Sequence, residues 1–212
     1  MPTSPLRGTP SSDWSPRVHV TGYYFFPLEN AHQPTAELDS FLKAGKPPVC
    51  ITFGSMVNRD RERIVRIICD ALKQTNNRGV ILSGWSGVKN QSSEDVLYLE
   101  AVPHDWLLPK CKMVIHHGGA GTTSAGLRAG IPNVVVPFTA DQPFWGRRVY
   151  TIGVGPRPIL VKKLSTEKLV HAMVESQNEA ICKRAQAIGQ RIRAEDGVGQ
   201  AVALIEAYTA AR

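Results

Sequence analysis

Cysteine is scarce, with four residues among 212, at positions 50, 69, 111 and 182. No two stand at CxxC spacing and none has a histidine at metal-finger spacing. Neither a disulfide framework nor a structural zinc is therefore expected. Cys50 and Cys69 fall in apolar runs and read as small core residues. Long hydrophobic runs are missing as well. Val134-Val135-Val136 is typical of the longest, far below the ~18 residues that a membrane-spanning helix requires. The N-terminus lacks the apolar core of a secretory signal, so a cytoplasmic protein is expected. Carboxylates are not clustered, which leaves Mg²⁺ no evident ligand set. Neither the dinucleotide spacing GxGxxG nor a phosphate loop ending in GK[ST] occurs, and no internal repeat is evident.

The residues that are present describe an ordinary folded protein. Hydrophobic residues make up 42% and charged residues 20%, values usual for a globular chain. A chain of this size buries roughly 70% of its unfolded surface and needs no staples. The formal net charge of +7 favours an anionic partner weakly. Many basic residues, such as Arg61, Arg63 and Arg66, or Lys183, Arg184, Arg191 and Arg193, fall in helical patterns and read as solvated faces. Nucleic acid is a rival partner on charge alone. It is not the expected one, because no helix-turn-helix, no aromatic RNA-binding strand and no long basic tail is present.

Residues 1–17 are mostly Pro, Ser and Thr and read as a disordered leader. Residues 18–47 read as a strand and linker. They contain a short strand over 18–21, the aromatic cluster Tyr23-Tyr24-Phe25-Phe26 stopped by Pro27, and one helix over 36–43. Residues 48–212 form the regular domain. Buried strands are expected at 49–53, 80–82, 96–102, 113–116 and 133–137, with a short sixth at 161–163. Helices are expected at 61–75, 104–108, 122–129, 142–152, 165–176, 178–194 and 198–211. Gly130 and Pro132 stop the helix ending at Ala129. The stripe Val198, Val202 and Ile205 reads as core. Pro143-Phe144-Trp145 reads as packing for its helix, or as an acceptor-facing surface.

Apolar strands alternating with helices imply an α/β fold: a Rossmann-like, doubly wound parallel sheet covered on both faces. Ligands in such sheets bind outside the carboxyl ends of the strands. The richest segment there is His116-His117-Gly118-Gly119-Ala120-Gly121-Thr122-Thr123. Glycines let a backbone approach a ligand closely, and the start of the following helix offers free N–H groups to an anion. Thr122 and Thr123 can cap that helix or donate to phosphate oxygens. A tight strand-to-helix connection with one core histidine and one exposed histidine is the alternative reading of this segment.

Further pieces surround it: Phe53-Gly54-Ser55-Met56, Gly84-Trp85, Val102-Pro103-His104-Asp105-Trp106-Leu107, Ala129-Gly130-Ile131-Pro132 and Ala140-Asp141-Gln142. In this order they resemble the C-terminal, nucleotide-sugar-binding half of GT-B fold glycosyltransferases, most of all the sterol and antibiotic-aglycone glucosyltransferase branch. The resemblance runs from about Val18 to about Tyr208. The segment from Thr21 to Pro27 resembles the strand and linker between the two halves, and residues 48–212 then correspond to the nucleotide-sugar-binding domain. The resemblance also offers a second reading of the helix at 198–211, since the last helix of that family crosses to the N-terminal half.

The resemblance implies roles for individual residues. The backbone of Val102 pairs with a uracil or thymine edge, with Trp85 and Pro103 packing the base. Ser55, His117, Gly121 and Thr122 fall at diphosphate-binding positions, Gly119 and Thr123 join them as candidates on the glycine turn and helix start, and Asp141 with Gln142 fall at hexose-binding positions. The sequence departs from the plant members at Ala101, where they stack the base on Trp, and at Ala125, where they hold the ribose with Glu. The implied reaction is an inverting, metal-independent transfer of a hexose such as glucose from a UDP- or dTDP-sugar to a lipophilic hydroxyl, such as a sterol or aglycone. The nucleotide sugar is a co-substrate, and no cofactor is implied. His117 is the catalytic candidate. No residue stands out as the base that deprotonates the acceptor, and His19, His104 and His171 read as structural. The acceptor-binding half would be a separate subunit or another part of a longer chain. A non-catalytic nucleotide-sugar-binding module acting through a partner is the alternative. The aromatic cluster at 23–26, unpaired with such a half, would favour self-association.

Overall fold

The computed structural model describes residues 13–15, 17–25, 32–53, 60–82 and 92–210. Among these, five strands form one sheet in the order β3-β2-β1-β4-β5. They are β1 (Val49–Thr52), β2 (Gly79–Leu82), β3 (Val96–Leu99), β4 (Met113–His116) and β5 (Asn133–Val135). All neighbours pair in parallel, with Thr52 level with Leu82 on one side and with His116 on the other. The chain steps outward from β1 to β3 and then crosses back to place β4 against β1. The switch point therefore lies between the carboxyl ends of β1 and β4, where ligands settle in folds of this kind.

Among the described residues eight helices accompany the sheet: α1 (Ala36–Lys43), α2 (Arg61–Gln74), α3 (His104–Leu107), α4 (Ala120–Ala129), α5 (Gln142–Thr151), α6 (Thr166–Ser176), α7 (Glu179–Arg193) and α8 (Gly197–Ala210). Strand alternation sorts the core into layers. Val49, Ile51, Met113, Ile115 and Val134 point to one face, where Ile64, Ile68 and Leu72 of α2 and Leu169 and Met173 of α6 cover them. Cys50, Val80, Leu97 and Val114 point to the other, under Leu38 and Phe41 of α1 and Ala125 of α4. A third cluster joins α4, α5 and α7 through Leu127, Val149, Ala185, Ile188 and Ile192. Burial of each such side chain is worth about 1.5–3 kcal/mol.

Several expectations are corrected. Residues 18–21 form no strand. Val161–Lys163 is a 3-10 turn rather than a sixth strand, because after Val161 N–H bonds to the Pro137 carbonyl the Lys163 and Leu164 amides turn back to the Leu160 and Val161 carbonyls. The strand expected over 96–102 stops at Leu99, ahead of the α3 N-cap Pro103. Helix α4 starts at Ala120, two residues before expected, so Gly119 is its N-cap and Gly121 lies inside it.

The stripe read as core on the last helix is a surface. Val198, Val202, Ile205 and Tyr208 are 47–63% exposed. The aromatic cluster is divided: Tyr23 and Phe25 pack against the α4–α7 core, while Tyr24 faces outward. Arg128 lies over the Phe25 ring at 4.2 Å, and His19 Nε2 meets the Tyr208 hydroxyl at 3.1 Å. The leader at 1–12, Phe26 and Pro27 lie outside the described residues. No helix among the described residues is long and apolar enough to cross a membrane.

Candidate functional site

Strand β4 ends at His116 and His117 follows it, and the two histidines have opposite fates. Alternation turns His116 inward, and it is fully buried. Its Nε2 is 3.1 Å from Asn133 Oδ1, and its Nδ1 accepts the Gly118 N–H at 3.1 Å. Asn133 is itself held by donating to the Ile131 carbonyl at 2.8 Å. Nδ1 is therefore the acceptor and Nε2–H the donor, a single tautomer that fastens the turn after β4 to β5. Burial pushes the His116 imidazole down to about 3, with His117 adding to the effect and the Asn133 hydrogen bond opposing it.

That shift has a consequence for stability. An unfolded imidazole titrates near 6.5 and the folded one near 3. Between those values the unfolded chain binds the extra proton. The contribution of this ring is constant above about 6.5 and falls by about 1.4 kcal/mol per pH unit as pH drops through the window. Urea unfolding at pH 6.5, 5.5 and 4.5 should show this loss, and His116→Gln should flatten it. A wild-type midpoint unchanged across the series would contradict the buried neutral ring.

His117 turns outward from the same strand end and is half-buried. Its Nδ1 is buried and makes no hydrogen bond of good geometry. Burial lowers its pKa, while the Thr52 main chain on β1 and the Asp141 carboxylate oppose the shift. Its Nε2 lies where a Cβ on Gly119 would sit, 2.5 Å from that position. The imidazole thus borders the N-cap of α4 and shares the switch point with β1. His104, the first residue of α3, is also lowered by burial, with Asp105 opposing and His117 reinforcing the shift. The two imidazoles are close enough to sense each other.

Gly118 makes the turn possible at φ +91°, and a side chain there would meet Val135 Cγ1 at 2.7 Å and the Gln142 main-chain oxygen at 3.0 Å. The first bond of α4 runs from Thr123 N–H to the Gly119 carbonyl at 2.9 Å. The N–H groups of Ala120, Gly121 and Thr122 precede it, and no side chain caps them. They constitute the donor end of the helix dipole. Gly121 is open, with nothing within 4 Å of a Cβ placed on it. Thr122 is buried beside them, whereas Thr123 is fully buried and its hydroxyl donates to the Gly119 carbonyl at 2.9 Å. Thr123 therefore braces the helix start from behind.

The remaining expected residues divide. Val102 is buried in the core cluster beneath α1 and α4, directly before α3. Arg128 Nη1 bonds to Asp105 Oδ2 at 2.9 Å and ties α3 to α4. Asp141 is the exposed N-cap of α5. Gln142 is buried, and its Oε1 accepts the Phe138 and Thr139 N–H groups at 2.8 and 3.1 Å. It holds the loop entering α5, where Ala140 adopts φ +55°. Ser55 and Trp85 lie outside the described residues. His117, Gly119, Gly121, Thr122, Asp141 and Gln142 are brought to one corner, with Val102 on the next connection. His19 and His171 are remote from it: one contacts Tyr208, and the other lies 3.7 Å from Glu175 on α6. Asn133 was missed in the sequence, although a lone amide opening the run Val134-Val135-Val136 was a signal that something polar needed a partner.

The sequence profile of the erythromycin biosynthesis protein CIII-like C-terminal domain family matches residues 86–198. The chain belongs to this family. Among the relatives of this CIII-like domain, a sterol 3-beta-glucosyltransferase of Arabidopsis thaliana is 45% identical over 192 residues, covering 90% of this chain and 30% of the relative. The O-mycaminosyltylonolide 6-deoxyallosyltransferase of Streptomyces fradiae is 35% identical over 214 residues, covering 100% of this chain and 50% of the relative. The CIII-like domain described here thus spans half or less of the length of these proteins. Solved structures share its fold. The glycotransferase of kitacinnamycin superposes with a TM-score of 0.71 at 21% identity, over 87% of this chain and 47% of that one. The UDP-glucose: anthocyanidin 3-O-glucosyltransferase, solved in complex with UDP, gives 0.69 at 17% identity, over 84% and 44%. The fold is that of the C-terminal half of a GT-B glycosyltransferase.

Proposed function

We propose that this chain is the donor-binding half of an inverting glycosyltransferase that takes a hexose from a UDP- or dTDP-sugar. One observation carries the reading. An uncapped helix start, a glycine turn without side chains and a half-buried imidazole meet at the switch point, within electrostatic range of Asp141. The diphosphate lies across the Gly119–Thr122 amides, with His117 donating to it. The base lies toward Val102, and the hexose toward Asp141 and Gln142. Cleavage of the sugar–phosphate bond leaves negative charge on the diphosphate, and fixed N–H donors stabilise it as it develops. Those donors supply this stabilisation without a metal ion.

The acceptor is a lipophilic hydroxyl such as a sterol, in keeping with what the relatives are named for. The acceptor-binding half supplies the base that deprotonates it and covers the exposed apolar stripe of α8. Without that half, the same surface favours self-association.

A thermal-shift panel of uridine, thymidine, adenosine and guanosine diphosphates tests the donor site, since a ligand bound only to the folded state stabilises it by about 2.7 kcal/mol at a hundredfold excess over Kd. UDP, dTDP and UDP-glucose should raise the melting temperature more than ADP and GDP. A panel in which none of them does would overturn the reading. Hexose transfer appearing only when an acceptor-binding half is added would separate an enzyme half from a binding module.

A further inference from the structure

An aspartate at a helix N-cap ordinarily folds its carboxylate back onto the amide of the second or third helical residue. Asp141 does not. The second residue of α5 is Pro143, which has no N–H. The third, Phe144, and the next, Trp145, give their amides to the main-chain oxygen of Asp141 at 3.0 and 3.2 Å. The backbone of Asp141 is itself in the helical region, φ −79° and ψ −8°, rather than extended. Its carboxylate is therefore released from capping. One oxygen, Oδ2, accepts the indole Nε1–H of Trp145 at 2.8 Å. The other has no hydrogen-bond partner among the described residues.

The donor is rigid. Trp145 packs against the cluster of Leu127, Val135 and Val149 and meets the Phe144 ring edge-on at 5.2 Å. The recipient loop is fixed too, because Gln142 Oε1 holds the Phe138 and Thr139 amides and its main chain abuts Gly118. Asp141 is close enough to His117 to act on its charge.

We infer that Trp145 is a positioning residue for the transferred sugar: its indole N–H holds one oxygen of Asp141 so that the other faces the hexose beside the diphosphate site. The inference rests on the proposed role of Asp141 in hexose binding. Trp145 makes no contact with the sugar. Its effect falls on the part of the ligand that Asp141 reads.

Calorimetry on the 212-residue chain with UDP and with UDP-glucose tests it. Trp145→Phe keeps an aromatic ring and removes the N–H. UDP affinity should stay within about twofold, while UDP-glucose affinity falls about five- to tenfold, the scale of one hydrogen bond. Replacement of Trp145 by β-(3-benzothienyl)alanine, which puts sulfur in place of the N–H at nearly constant shape, should give the same selective loss even if the phenylalanine variant folds poorly. Equal loss for both ligands would assign Trp145 to packing alone and overturn the inference, as would no loss for either. Asp141→Asn separates the underlying reading. If it leaves UDP-glucose affinity unchanged, Asp141 does not read the hexose. If it weakens UDP-glucose while both Trp145 variants do not, only the positioning role fails.

Discussion

His117→Ala is expected to weaken UDP binding by about 10- to 150-fold, the equivalent of roughly 1.5–3 kcal/mol for a hydrogen bond to a charged group. The ring follows β4, borders the α4 N-cap and has its pKa lowered by burial. A diphosphate oxygen beside Nε2 favours the protonated ring, since an opposite charge stabilises the charged form. Binding should then take up a proton, and affinity should rise as pH falls from 8 toward 6. Calorimetry in buffers of different ionisation enthalpy reads both quantities. His117→Gln, which keeps a donor but no titrating ring, should recover part of the affinity and lose the proton uptake that the imidazole contributes. Unchanged affinity in the alanine variant would remove His117 from the site.

Gly118→Ala should produce the largest loss of stability at this corner. A Cβ at φ +91° is strained in itself, by roughly 1–2 kcal/mol. It would also stand 2.7 Å from Val135 Cγ1 and 3.0 Å from the Gln142 carbonyl oxygen, and overpacking of that kind costs about 1–3 kcal/mol. The expected total is about 2–5 kcal/mol, or a fall of about 4–20 °C in melting temperature. The same change pushes the loop carrying Asp141 away from the glycine turn, so UDP-glucose binding should suffer more than UDP binding. Gly121→Ala is the control: the position is open and lies inside α4, where alanine is the better helix former. Its stability should rise slightly or stay level. Equal melting temperatures for Gly118→Ala and the wild type would show that the turn tolerates a side chain.

Much of this fold could be read directly from pattern. The apolar runs at Val49, Val80, Met113 and Asn133 announce parallel strands because both faces of such a sheet are covered. Gly130 and Pro132 mark the end of α4 because the chain needs a left-handed residue there, and Gly130 adopts φ +76°. The glycine turn after β4 was legible for the same reason. The Val161 segment was not. Its β-branched start fits a strand, and Ile159 and Val161 do give their N–H groups to the Val135 and Pro137 carbonyls along the β5 edge, but Lys163 N–H turns back to the Leu160 carbonyl and ends the pairing there. The stripe on α8 was misread because helical spacing reports that one face is apolar, without saying what covers it.

The amino-acid sequence by itself determined the order of elements, the sheet type and the segments that meet at the switch point, since each follows from local periodicity and turn chemistry. Only the tertiary structure decided which of two adjacent histidines is buried with Asn133 and which borders the helix start, because strand alternation has meaning only once the covering layers are in place. It also decided that Thr123 and Gln142 spend polar atoms on the backbone, while Asp141 is held by Trp145. Those assignments depend on distances between groups, and distances of that kind are set by packing.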